Sequence, residues 1–130
     1  MKKYTSESLF RDICDICPDL KKLGDEHLSY YEEILITIFL EDEVFRDFFC
    51  IWIEISNFEK LKPLLDLLDE YYNLGYKDDK VTASIMFFLE SIVCNKFINK
   101  VQEQGLLGNN LKIALSEIKK SPTFNTEHLD

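Results

Sequence analysis

The side chains in this chain most able to do chemistry are carboxylates, and they come in clusters: Glu32-Glu33, Glu41-Asp42-Glu43, Asp66/Asp69/Glu70 and Asp78-Asp79. Acid–base work by a carboxyl pair requires burial to raise one member. Asp66, Asp69 and Glu70 alternate with leucines at 61, 64, 65 and 68, which turns them to solvent. The spacing therefore predicts a charged surface rather than a catalytic pair. Glu90 differs, because it lies within the most apolar helical stretch. It is expected to be partly buried, held by a helix N-terminus or a basic side chain.

Sulfur and imidazole offer less. Cys14-Asp15-Ile16-Cys17 is a C-x-x-C, but a redox motif of that kind opens a helix after a strand, inside a βαβ pattern. Here it falls at the end of an expected helix. A zinc site needs about four ligands. Cys50 and Cys94 stand alone in apolar stripes, and the only histidines are His27, in an expected polar linker, and His128 near the end. Metal or redox chemistry would rest on the C-x-x-C alone. The chain has no G-x-S-x-G, no P-loop and no G-x-G-x-x-G. No catalytic residues, metal or cofactor are expected.

The acids sit among tyrosines. Tyr30, Tyr31, Tyr71, Tyr72 and Tyr76 fall at or near helix ends beside Asp and Glu. Tyrosine supplies rigid contact area, and carboxylates steer encounter and pair with Arg or Lys. The residues expected to meet a partner are Glu41, Asp42, Glu43, Asp66, Asp69, Glu70, Tyr71, Tyr72, Tyr76, Asp78 and Asp79.

Charge supports that emphasis. The 130 residues carry a formal net charge of −9, and residues 41–90 alone hold −7 of it, against −3 for 1–40 and +1 for 91–130. Such a field disfavours nucleic acid or an anionic membrane as a direct partner. No apolar run approaches the ~18 residues needed to span a bilayer. The first eight residues are basic but lead into no hydrophobic region, so they are not read as a secretory signal. The expected compartment is the cytoplasm, where the four cysteines would be thiols.

The elements that must position these groups read as helices. Thr5 or Ser6 caps a first helix carrying Leu9, Ile13 and Ile16, ended by Cys17-Pro18. Gly24 is expected to stop a short turn begun at Pro18, with Asp25 capping the next segment. The run Ile34–Leu40 fits a buried strand or a helix, and the spacing from Tyr30 to Ile38 favours the helix. Asp42 caps a helix with Val44, Phe45, Phe48, Phe49, Trp52 and Ile55. Ser56 and Glu59 have capping-box spacing ahead of Leu61, Leu64, Leu65, Leu68, Tyr71 and Tyr72. Pro63 lies early in that helix, and Gly75 is expected to end it in the left-handed conformation. Asp78 caps the most apolar helix, Val81 to Val93, which belongs at the centre. Asn109 or Asn110 caps a last helix with Leu111, Ala114, Leu115 and Ile118. The sum is an all-α, single-domain antiparallel bundle of about five to seven helices built as helical hairpins. The domain is read as 1–122, with a frayed C-terminal tail at 123–130.

Asp78-x-x-Val81, Ile85, Phe88-Leu89-Glu90-Ser91-Ile92 and Leu107-Gly108 together resemble small all-helical bacterial proteins, over about residues 30–120. Some of these are immunity proteins of contact-dependent growth inhibition and related polymorphic toxin systems. Others in the group have no assigned function. The C-x-x-C is not part of the pattern. The resemblance implies a cytoplasmic inhibitor that binds one toxin domain, many of which are nucleases, and blocks its active site or substrate surface. The alternative is a helical adaptor or regulatory protein without catalytic activity. The apolar excess of Phe45–Ile55 would let such a protein be a homodimer. Monomer and weak homodimer both remain open.

Overall fold

The computed structural model of the chain describes residues 4–75, 79–93 and 97–120. Among the described residues lie eight α-helices and no strand: α1 (Ser6–Ile16), α2 (Lys21–Tyr31), α3 (Ile36–Glu41), α4 (Glu43–Glu54), α5 (Phe58–Leu74), α6 (Asp79–Val93), α7 (Phe97–Glu103) and α8 (Asn109–Lys120). The all-α expectation holds, and the ambiguous run at 34–40 is helical from Ile36. Helix α7 has no counterpart among the helices expected from spacing. The tail at 123–130, with His128, and the expected cap Asp78 lie outside the described residues.

Apolar spacing builds the core as expected along α1, α5, α6 and α8. Helix α6 packs against α1, α3, α5, α7 and α8, and its Val81, Ile85, Phe88 and Leu89 are fully buried. Phe45 and Phe49 of α4 meet Phe88 edge-on, with centroids 5.5 and 5.1 Å away. Burying each such side chain stabilises the fold by about 1.5–3 kcal/mol. Ser84, the polar exception on α6, donates to the Lys80 carbonyl at 2.5 Å and so accepts from Thr37 at 2.6 Å. That pair ties α6 to α3.

Helix ends carry most of the corrections. Thr5 caps α1 reciprocally with Ser8: Ser8 N–H donates to Thr5 Oγ1 at 3.2 Å, and Thr5 N–H to Ser8 Oγ at 2.9 Å. Gly24 does not stop a helix. It is buried inside α2, where an added Cβ would lie 2.7 Å from Cys14 Sγ and 3.2 Å from Phe10 Cζ. The glycine is there so that α2 can lie against α1. Ser56 does not cap α5. It adopts φ 59° and closes α4, with Asn57 N–H donating to Trp52 O and Ser56 N–H to Ile53 O. Gly75 ends α5 as expected but at φ −88° rather than in the left-handed region; a Cβ there would lie 2.6 Å from the Tyr71 carbonyl oxygen and 2.8 Å from Val81 Cγ1, so the close approach is what calls for glycine. Among the described glycines, Gly105 is the one in the left-handed region, at φ 65°. It closes α7 by the same pair of bonds that Ser56 makes behind α4.

Candidate partner-binding surface

The structure sorts the acidic residues by what each carboxylate touches. Glu41, Glu43, Asp66 and Glu70 are exposed. Asp66 pairs with Lys62 one turn earlier, at 2.8 Å on an open surface, where such a bond contributes little. Asp42 is half-buried and caps α4 by accepting from Val44 N–H at 2.8 Å. Tyr76, Asp78 and the side chain of Asp79 lie outside the described residues.

Two expected contact residues face inward instead. Tyr71 is 0% exposed, and its hydroxyl donates to Asp12 Oδ2 at 2.7 Å. Its ring meets Tyr4 edge-on at 5.0 Å. Its place near a helix end beside Asp69 and Glu70 suggests a contact residue, but Tyr71 belongs to the buried stripe of α5. Asp69 leaves the solvent too. Its Oδ1 accepts from Leu111 N–H at 2.9 Å, and its Oδ2 from Asn110 Nδ2 at 3.3 Å. Asp69 on α5 thus caps α8, in place of a side chain of Asn109 or Asn110. Its charge also meets the positive end of the α8 dipole. Gly108 makes room for it, since a Cβ there would fall 2.4 Å from the carboxyl carbon. Tyr72 is half-buried, and desolvation, with Glu117 of α8 nearby, pushes its phenol upward. Glu90, expected to be partly buried, is exposed beside Phe87 on the outer side of α6.

His27 is also misread by sequence. It is 7% exposed on α2, among Phe10, Tyr31 and Phe39, and its Nε2 accepts from Leu35 N–H at 3.0 Å. Burial, opposed by Asp42, lowers its pKa, so the neutral acceptor form is favoured. His27, Tyr30, Tyr31, Leu23, Glu26 and Asp42 line an open hollow of about 300 Å³. Tyr30 is 79% exposed at its rim. A larger groove of about 700 Å³ runs between the start of α1 and residues 34–38.

Cys14 and Cys17 are part of the α1–α2 packing, and Cys94 lies outside the described residues. Cys17 closes α1 by donating its N–H to Ile13 O, and Cys14 packs over Gly24. Burial pushes both thiols up to about 11, with nearby carboxylates adding to it. Reactive C-x-x-C sites shift the other way.

Helix α4 carries what the sequence shows only as apolar excess. Phe45, Phe49, Trp52 and Ile53 are buried, whereas Val44, Ile51 and Ile55 are 46%, 50% and 64% exposed. No described helix is long and apolar enough to cross a membrane. The described surface therefore carries exposed carboxylates on α4 and α5, exposed tyrosine on α2 and exposed aliphatic residues along α4. No family model matches the chain, and neither a curated protein nor a solved structure matches it.

Proposed function

We propose that the chain is an immunity protein: a non-catalytic cytoplasmic inhibitor that binds one toxin domain and occludes its basic substrate surface. A nuclease is the class of toxin whose substrate surface best complements this field. The observation that carries the reading is the run of exposed carboxylates in the middle of the sequence, Glu41, Glu43, Asp47, Glu54, Asp66 and Glu70 among them, in a chain of net charge −9. A phosphate-binding surface must be cationic, and an acidic protein that mimics the charge of its substrate is steered onto it. The resemblance over residues 30–120 points the same way.

The test is capture of partners from native cells, eluted with a salt gradient and identified by mass spectrometry, followed by neutralisation of the captured protein. One basic toxin domain, released only at high salt and inhibited one-to-one, is the expected result. Many unrelated proteins, or a captured toxin that stays active, would overturn the reading. The exposed aliphatic residues of α4 favour a second reading, a helical adaptor, and a captured partner with no toxicity of its own would move the assignment to it.

A further inference from the structure

Helix α4 has two apolar faces, and the fold uses one. Val44, Phe48, Ile51 and Ile55 follow one another at steps of four, three and four. At about 100° per residue they fall within a sector of about 60° along one side of the helix. Val44, Ile51 and Ile55 are about half exposed or more, and Phe48 is half-buried against Trp52, with centroids 5.7 Å apart. Scattered exposed apolar residues need no explanation. A continuous seam with coiled-coil spacing does. Glu43, Asp47 and Glu54, all exposed, border it on one side. Arg46, the one basic residue of α4, lies on the far side of the helix, about 170° from the seam. On the other border Lys60 sits over Trp52 at 5.7 Å and is paired with Asp19.

We propose that this face docks a cationic amphipathic helix of a partner protein. Its apolar residues would fill the seam, and Lys or Arg along one flank would meet Glu43, Asp47 and Glu54. The inference deepens the reading of the chain as a binder of basic protein and rests on it. Two observations speak against a second copy as the occupant. An antiparallel pair of α4 helices would set three carboxylates against three, between chains of net charge −9 each. The twelve residues of α4 also offer too little surface. A face about 18 Å long and 10 Å wide is well under the ~800 Å² per partner of a stable interface. A docked helix is one element of a larger partner and need not reach that area alone.

The probe is a helical peptide of about 18 residues with leucine at i, i+4, i+7 and i+11 and lysine along one flank. It is titrated into the full-length protein and followed by calorimetry and by the fluorescence of Trp52, the only tryptophan in the chain. Saturable one-to-one binding is expected. Ile51→Asp or Ile55→Asp should weaken it by about tenfold or more, and the pair Asp47→Lys with Glu54→Lys by about threefold or more. A peptide with glutamate along its flank should not bind. Both isoleucines are exposed, so circular dichroism should show the fold intact in either variant. Unchanged affinity in both isoleucine variants, or equal binding of a scrambled peptide of the same charge, would overturn the proposal. So would a peptide-free dimer that Ile51→Asp dissolves, since the face would then belong to a second copy. A toxin captured equally well by Ile51→Asp would keep the immunity reading while removing α4 from the contact. Peptide binding without any captured toxin would do the reverse.

Discussion

Helices α4 and α5 are made of the same materials, large apolar residues and carboxylates at helical spacing, and the fold uses them in opposite ways. Helix α5 buries Leu61, Leu64, Leu65, Leu68 and Tyr71 completely and turns one carboxylate, Asp69, inward to hold the start of α8. Helix α4 keeps Glu43, Asp47 and Glu54 outside and leaves Val44, Ile51 and Ile55 exposed beside them. Their neighbours make the difference. Asp69 lies opposite the N-terminus of another helix with a glycine at the contact, whereas Glu43 lies in the first turn of its own helix and Asp47 and Glu54 are exposed. An acidic cluster in sequence is thus not one kind of object. The same kind of carboxylate is structural where backbone N–H groups of another helix meet it and part of the outer surface where none do.

The contrast can be broken by mutation, most forcefully in the core. Leu64→Ala on α5 should cost about 2–5 kcal/mol, since Leu64 is fully buried. Ile51→Ala on the outer face of α4 should stay within about 0.5 kcal/mol. Urea denaturation of both variants measures the gap, and similar costs would mean that the outer face of α4 is covered.

The Asp69 cap is the next largest effect. Asp69→Ala should lose about 1–2 kcal/mol, and Asp66→Ala, three residues away, close to none. Gly108→Ala should lose a similar amount, because its Cβ and the carboxyl cannot share the space. Added to Asp69→Ala, it should cost little more. Simple additivity in the double variant would separate the glycine from the cap.

Between Asp69 and the open carboxylates stands His27, a neutral side chain that also receives a backbone N–H. Its folded pKa lies below its ordinary value, so the unfolded chain takes up the proton first as pH falls. The stability it protects is complete above about pH 6.5 and declines as pH drops below that. His27→Gln keeps an acceptor, costs about 1 kcal/mol at neutral pH and should flatten the loss between about pH 6.5 and 5. Denaturation midpoints across that range are the readout, and an unchanged slope would assign the acid sensitivity to other groups. Asp47→Lys, at an exposed position, should have the smallest effect on stability, within about 0.5 kcal/mol, and show itself in association rates at low salt.

The same division explains what can be read from the residues alone. Apolar spacing gives α1, α4, α5, α6 and α8 their places, because burial of one stripe is a local signal. Thr5 and Asp42 are legible as caps because their partners lie two or three residues ahead. Gly24 and Gly75 read as chain-bending residues, yet each, like Gly108, has a neighbour where a side chain would begin. Spacing cannot report that. The bond from Leu111 to Asp69 spans 42 positions, and the one from Leu35 to His27 crosses a helix boundary. Neither leaves a periodic trace. Glu90 reads as an inward residue because α6 is apolar around much of its circumference, but Phe87, one turn earlier on the same side, is 46% exposed.

The remote cap on α8 also fixes an order of events. A helix of twelve residues has little stability by itself, and this one takes its first-turn acceptor from a side chain on another helix. Helix α8 therefore cannot act as a nucleus. It is expected to be laid onto α5 after α5 has formed, so on a growing chain Asp69 stays hydrated until α8 is synthesised. Pulse-labelling hydrogen exchange during refolding should protect the amides of α5 before those of α8. Equal protection times would mean that the two helices form as one unit.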